Sequence, residues 1–294
     1  MKNPQSPQYP QNGRRVTEAE IALLERRLKD EERADATVEK YLRDARAFAA
    51  WLDGRPATLD RAIAYKRGLA AARKAAGVNA ALAALNKLFA CLGWGDITLR
   101  PLRVQRAAFS DSGRVLTKGE YGRLVRAAEE SGDARTGLAM QAICSTGIRV
   151  SELRFITKAS LAEGRAEITN KGKTRTVFLP GKLCRALGKY VKAQGIAEGP
   201  VFVTKGGRPL DRRNIWAAMK RLCARAGVAP GKVFPHALRT LFAHTFYGAA
   251  KDIARLADIL GHSSINTTRR YILDSVASHR TRIDALGLVN GNMT

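Results

Sequence analysis

The sequence predicts a mainly α-helical protein with a small β-sheet, built as a helical domain followed by a mixed α/β domain. Three observations predict this class. Apolar residues recur at a 3.6-residue period through most of 17–94 and again beyond residue 117. One pair of short strand-like runs, 165–169 and 174–179, flanks Lys171-Gly172-Lys173, which reads as a hairpin turn. An aperiodic stretch, 95–114, separates the two regions, and 294 residues suffice for two domains of ordinary size.

The elements follow in order. Residues 1–16 hold three prolines and three glutamines and read as a mobile tail. From Thr17, Ile21, Leu24 and Leu28 share one helix face. Val38, Tyr41, Leu42, Ala45, Phe48, Ala49 and Leu52 continue the period until Gly54 and Pro56 break it. Residues 58–75 and 79–93 read as two further helices separated by Gly77, so 17–94 is a small helical bundle. Residues 95–114, with Pro101 and four arginines against two aspartates, read as a basic linker. Thr117 and Glu120 form a capping box that opens a helix and, with it, a second domain over 115–288. Residues 134–145 form an apolar helix ended by Gly147. From 181 the pattern is helical again, interrupted at 195–210 by Gly, Pro and a short strand candidate, VFVT. Residues 289–294 are a tail, and no repeat of 20–50 residues is visible.

Charge narrows the function. Lys plus Arg is 51 and Asp plus Glu is 26, giving +25. The hydrophobic fraction of 45% is too high for a disordered basic tail, so this is a folded protein whose natural partner is a polyanion. The charge is spread along the chain rather than gathered on one amphipathic helix, which argues against a membrane-surface protein. No run of 18 apolar residues exists and the N-terminus lacks an apolar h-region, so neither a transmembrane helix nor a signal peptide is expected. Cys91, Cys144, Cys184 and Cys223 are far apart, without CxxC spacing, and read as buried free thiols of a reducing cytoplasm.

Four segments carry chemistry. They are Thr146-Gly-Ile-Arg149-Val-Ser-Glu152-Leu, Asn170-Lys171-Gly-Lys173-Thr-Arg175, Pro235-His236-Ala-Leu-Arg239, and Leu260-Gly-His262 followed nine residues later by Tyr271. Singly, each has an ordinary structural explanation. Together, two arginines, a lysine and two histidines supply donors to a phosphodiester in a five-coordinate transition state. The planar fork of arginine binds two phosphate oxygens at once. A tyrosine can act as a nucleophile that leaves a covalent phosphoester. No carboxylate cluster with metal spacing lies among them, which argues against a two-metal nuclease.

The order and context of these segments resemble the tyrosine recombinase (phage integrase) family, and the resemblance covers nearly the whole chain. Residues 117–288 resemble its catalytic domain, and the run from Ala36 to Leu52 resembles its helical core-DNA-binding domain. The resemblance implies that Tyr271 attacks the scissile phosphate, giving a 3′-phosphotyrosine and a free 5′-hydroxyl. It implies that Arg149 and Arg239 hold the non-bridging oxygens, that Lys171 is the general acid for the 5′-oxygen, and that His236 accepts or relays the tyrosine proton. His262 would hydrogen-bond the phosphate, and Glu152 would support Arg149. No cofactor, ATP or metal is required, since the bond energy stays in the phosphotyrosine. One departure stands out. Lys171 precedes Arg175 by four positions, where many members have five, so Lys173 is a second candidate for the acid. Lys171 is favoured as the first lysine entering the turn.

The expected partner is double-stranded DNA carrying specific recombination sites. Lys205, Arg208, Arg212, Arg213, Lys220, Arg221, Arg225 and Lys232 stand against a single acid, Asp211, and a helix over 211–226 would offer them to a groove and backbone. The basic linker suits a strap that lets two domains clasp a duplex. Too few residues precede Thr17 for a folded arm-binding domain, so a two-domain architecture is expected. Residues 275–288, with Val276, Ile283 and Leu286, would form a helix passed between subunits of a homotetramer on synapsed DNA, the free protein being a monomer. An accessory DNA-bending protein stays open as a partner, and the expected location is the cytoplasm, on the nucleoid. Two other readings stay open: a type IB topoisomerase-like enzyme, and a non-catalytic regulator whose helix-turn-helix is 252–271.

Overall fold

The computed structural model describes residues 13–103, 115–170, 172–204, 206–269, 271 and 285, with the backbone alone at Asn170 and Lys173. The chain divides into two compact units, Met1–Arg106 and Ala107–Thr294.

In the first unit, α1 (Glu18–Asp30) starts at a capping box between Thr17 and Glu20. Helix α2 (Asp35–Leu52) ends where Asp53 turns left-handed, at φ 51°. Helices α3 (Leu59–Ala72) and α4 (Ala75–Cys91) complete the bundle. Phe48 of α2 is fully buried at its centre, its ring 5.1 Å from that of Tyr65 and 5.8 Å from that of Phe89. Burial of one such side chain contributes about 1.5–3 kcal/mol. The break expected at Gly77 falls instead at Arg73 and Lys74, both extended, and Gly77 sits inside the first turn of α4. Near a helix start its backbone freedom costs little, so it does not punctuate the chain.

The stretch expected as linker begins as part of this core. Ile97 and Leu99 are buried in it. The Asn86 amide donates to the Leu99 carbonyl and its oxygen accepts from the Leu99 N–H, both at 2.9 Å. Asn79 holds Leu102 in the same way, at 2.9 and 2.7 Å. Two asparagines thus satisfy an extended backbone that has no strand partner. At the other end Arg14 is buried and pairs with Asp96 at 2.6 Å, which ties residues 13–16 to the bundle.

In the second unit, α5 (Lys118–Glu130) opens at the Thr117–Glu120 capping box, and α6 (Ala134–Thr146) runs through the core. A 3₁₀ turn (Val150–Phe155) and α7 (Lys158–Glu163) lead into the hairpin of β1 (Arg165–Asn170) and β2 (Lys173–Phe178). The strands are antiparallel, paired from Arg165 with Phe178 to Asn170 with Lys173. β1 begins where expected and runs one residue longer, β2 lies one residue earlier and takes in Lys173 from the expected turn, and the loop holds two residues, with Gly172 at φ 72°. Helices α8 (Gly181–Ala193), α9 (Arg212–Ala226), α10 (Pro235–Ala250), α11 (Ile253–Leu260) and α12 (Ile265–Arg269) follow. The VFVT segment forms no strand. It carries one isolated bridge, Val203 to Pro209, while Val201 and Phe202 plug the core. Their apolarity reflects burial rather than a sheet. Cys223 is buried, and Cys91, Cys144 and Cys184 are half-buried free thiols. Among the described residues no helix is long and apolar enough to cross a membrane.

Candidate active site

The site is built where the ends of α6, α10 and α11 meet. Gly147 terminates α6 in the left-handed region, at φ 67°. A Cβ there would lie 2.5 Å from the Phe242 ring and 2.9 Å from Leu260, so only glycine fits. The chain then turns to put Arg149 at the start of the 3₁₀ turn and Glu152 one turn on.

Glu152 is 1% exposed. It accepts from the Arg149 backbone N–H at 2.9 Å and the Arg149 guanidinium at 2.8 Å. Arg175 of β2 binds it with both terminal nitrogens, at 2.9 and 2.8 Å. Burial alone would raise the Glu152 carboxyl, but the Arg175 and Arg149 hydrogen bonds overcome it and hold the group at about 2. The carboxylate is therefore ionised and ties the hairpin to Arg149.

His236 and Arg239 lie on the first turns of α10, opened by Pro235. Arg239 is 2% exposed. Its guanidinium donates to the Gly147 carbonyl at 2.6 Å and the Leu260 carbonyl at 2.7 Å, and meets His262 Nε2 at 2.9 Å. Burial and the Arg149 charge bring it down to about 10, so it stays a cation. Gly261 caps α11 at φ 63°, and a Cβ there would meet Arg175 Cδ at 2.6 Å. That turn delivers His262, whose other ring nitrogen, Nδ1, lies 2.8 Å from the Thr268 hydroxyl. Burial, then Arg239, Arg149 and Arg175, lower His262 to about 4. Burial, then Arg239, Arg212 and Arg149, lower His236 as well. Both rings are neutral near pH 7.

Tyr271 is almost buried between the two histidines. Its ring is 5.4 Å from His262, stacked at 12°, and 5.3 Å from His236. Three guanidinium groups act on His262, and one carboxylate pairs with two of them, so the site is positive and suits an anion with several oxygens.

Five of the six residues expected from sequence, Arg149, His236, Arg239, His262 and Tyr271, thus share one site. Lys171 lies outside the described residues, and Lys173 is described in its backbone alone. Sequence reasoning gave Arg175 and Thr268 no role. A signal for Arg175 existed: it shares strand parity with Val177 and Leu179, both buried, and a cation on the inward face requires a carboxylate. The possible helix-turn-helix over 252–271 has a second helix of five residues, with Thr268 buried in the site. The residues of 275–288 lie outside the described set except Ala285.

Of the basic set on and around α9, Arg208, Arg212, Arg213, Arg221 and Arg225 are exposed. Lys232 is instead paired with Glu120 at 2.9 Å, and Lys220 lies over the Trp216 ring at 5.4 Å. Lys205 lies outside the described residues. Among the described residues, no group of three or more His, Cys, Asp or Glu is placed to hold a metal.

The phage integrase family model matches residues 114–277. The chain is 31% identical over 271 residues to the tyrosine recombinase XerD of Xanthomonas campestris pv. campestris, covering 82% of each. It is 30% identical over 273 residues to the tyrosine recombinase XerC of Methylobacterium nodulans, covering 83% of this chain and 84% of that one. Its fold is similar to a lambda integrase dimer bound to a COC′ core site, with TM-score 0.68, 22% identity, and 87% and 76% of the two chains covered. It is also similar to the Tn1549 transposon integrase in complex with transposon right end DNA, with TM-score 0.67, 15% identity, and coverage of 91% and 99%.

Proposed function

Because the chain belongs to the phage integrase family of tyrosine recombinases, we propose that Tyr271, Arg149, Arg239, His236, His262 and a hairpin lysine cut and rejoin DNA through a 3′-phosphotyrosine. The chain is a site-specific tyrosine recombinase. The observation that carries the residue roles is the position of Tyr271, against both histidines and beside Arg239.

The Tyr271 oxygen attacks phosphorus and forms the new P–O bond, while the bond to the 5′-oxygen breaks. His236 takes the phenolic proton, for which a neutral ring of lowered pKa is ready. Lys171, or Lys173 as the second candidate, gives a proton to the departing 5′-oxygen. Arg149 and Arg239 hold the non-bridging oxygens, and their charge offsets what develops there. His262 hydrogen-bonds the same phosphate. The reverse reaction, with a 5′-hydroxyl from another strand, rejoins DNA without ATP. Guanidinium groups supply the positive charge, so no metal is needed for it.

The substrate is double-stranded DNA with specific sites, gripped in part by the exposed arginines around α9. Four subunits assemble on two synapsed duplexes, the free chain is a monomer, and the protein works on the nucleoid in the cytoplasm. The direction, whether integration, excision, inversion or resolution, follows from the sites and any accessory bending protein. The test uses a nicked suicide duplex taken from the DNA flanking the gene. Wild type forms an SDS-resistant adduct in EDTA, and Tyr271→Phe binds the duplex but forms none. An adduct in Tyr271→Phe removes the nucleophile assignment. Relaxation of plasmid lacking the site, with no recombination, points to a type IB topoisomerase-like enzyme instead.

A further inference from the structure

We propose that Thr268 is a positioning residue of this reaction: its buried hydroxyl fixes His262 in the tautomer with the proton on Nδ1 and the lone pair on Nε2. The proposal rests on the reading of the surrounding side chains as the active site.

The geometry leaves one consistent arrangement. His262 Nε2 is 2.9 Å from the Arg239 guanidinium, which has donors and no acceptor. Nε2 must therefore accept, and the single proton of the neutral ring sits on Nδ1. Nδ1 is 2.8 Å from Thr268 Oγ1, so it donates to the hydroxyl. The opposite tautomer would set an N–H against an N–H at Arg239 and waste the bond to Thr268. Thr268 is fully buried, so water does not compete for this place.

The choice of a hydroxyl has a chemical consequence. Its oxygen accepts from Nδ1–H whether or not Nε2 also carries a proton. His262 can therefore gain a proton at Nε2 when the Arg239 N–H that faces it turns to an arriving phosphate oxygen, and it then donates to that phosphate without giving up its anchor. A carboxylate at residue 268 would favour the cation even with the site empty. An alkyl side chain would leave Nδ1–H unpaired. The groups that face His262 are Arg239 and His236 of α10, Arg149 of the 3₁₀ turn, Arg175 of β2, and Tyr271. Thr268 acts on the nucleophile as well: its carbonyl accepts from the Tyr271 N–H at 2.9 Å, and Tyr271 stacks on the ring that the hydroxyl holds. One residue thus sets both partners of the stack.

Two substitutions separate hydroxyl from packing. Thr268→Val keeps the shape and loses the hydroxyl, and Thr268→Ser does the reverse. The first measurement is the ¹⁵N chemical shifts of His262 in the full-length, DNA-free protein. Wild type and Thr268→Ser give the Nδ1–H tautomer, and Thr268→Val gives a mixture. The second measurement is adduct formation on the suicide duplex. Thr268→Ser stays near wild type, whereas Thr268→Val falls about tenfold, as when a buried donor loses its partner. Band-shift affinity is unchanged in both. An Nε2–H tautomer in the wild type overturns the proposal, whatever the variants do and even if Thr268→Val does not fold. So does a Thr268→Ser rate as low as that of Thr268→Val, which assigns the effect to the methyl group. A fixed Nδ1–H tautomer in a wild type that forms no adduct leaves the positioning intact and removes the recombinase site reading instead.

Discussion

Glu152 is a buried carboxylate that two arginines from different segments share, and its removal exposes how much they depend on it. Glu152→Gln leaves Arg149 and Arg175 facing each other without compensation. Such a loss costs about 3–5 kcal/mol, to be read from urea unfolding at pH 7. The pH dependence has a definite sign. Glu152 titrates at about 2 in the folded chain against an ordinary 4.5, so its stabilisation is present above about 4.5 and lost as pH falls through 2. That difference corresponds to about 3 kcal/mol. His262 adds a window above it. Its folded value of about 4 lies below 6.5, so the unfolded chain takes the proton first and stability drops as pH falls from 6.5 to 4. Unfolding midpoints across pH should show the lower window shrink in Glu152→Gln and the upper one, which His236 shares, shrink in His262→Gln. At this scale the sequence revealed the residues that sit in recognisable spacings, such as His236 with Arg239. It hid Arg175 and Thr268, because their partners lie 23 residues back and across a turn, where no local period reaches.

At the level of elements, the glycines differ in what they permit. Gly147 holds a positive φ under the Phe242 ring, and the carbonyl it presents binds Arg239. Gly147→Ala should cost about 2 kcal/mol or more and depress adduct formation with it. Gly188, inside α8 with nothing within 4 Å of a new Cβ, should behave oppositely. Gly188→Ala should stabilise by about 0.5–1 kcal/mol and leave activity alone, as thermal unfolding and the suicide duplex would report together. Helix boundaries were legible where a capping box or a terminal glycine marked them, as at Thr117 and Gly147. They were misread where punctuation was only apparent. Gly77 carries no turn, and residues 95–102 lack a period yet bury Ile97 and Leu99, because two asparagine side chains replace the missing strand partner. Valine and phenylalanine in 201–203 suggested a strand, since core filling and strand formation select the same residue types.

For the whole molecule, a charge of +25 sets the terms of association. DNA binding should weaken steeply with salt, because each neutralised phosphate releases counterions. Replacing Arg212 and Arg213 with alanine should lower affinity on every sequence and reduce the log–log salt slope by about two, measured by fluorescence anisotropy. An unchanged slope places DNA elsewhere on the surface. Truncation after Ser275 addresses assembly. It should leave one-site binding intact and weaken two-site complexes in band shifts, and equal recombination by both forms would show that the segment serves its own subunit or none.

The three bonds of Arg239 also bear on how the protein is made. Its guanidinium is held by carbonyls of residues 147 and 260 and by the ring of residue 262. A growing chain that has emerged only as far as α10 carries this cation without two of its three acceptors. The pocket closes only after the stretch through 271 has left the ribosome. A product that stops before residue 260 therefore carries a buried cation that lacks two of these three partners.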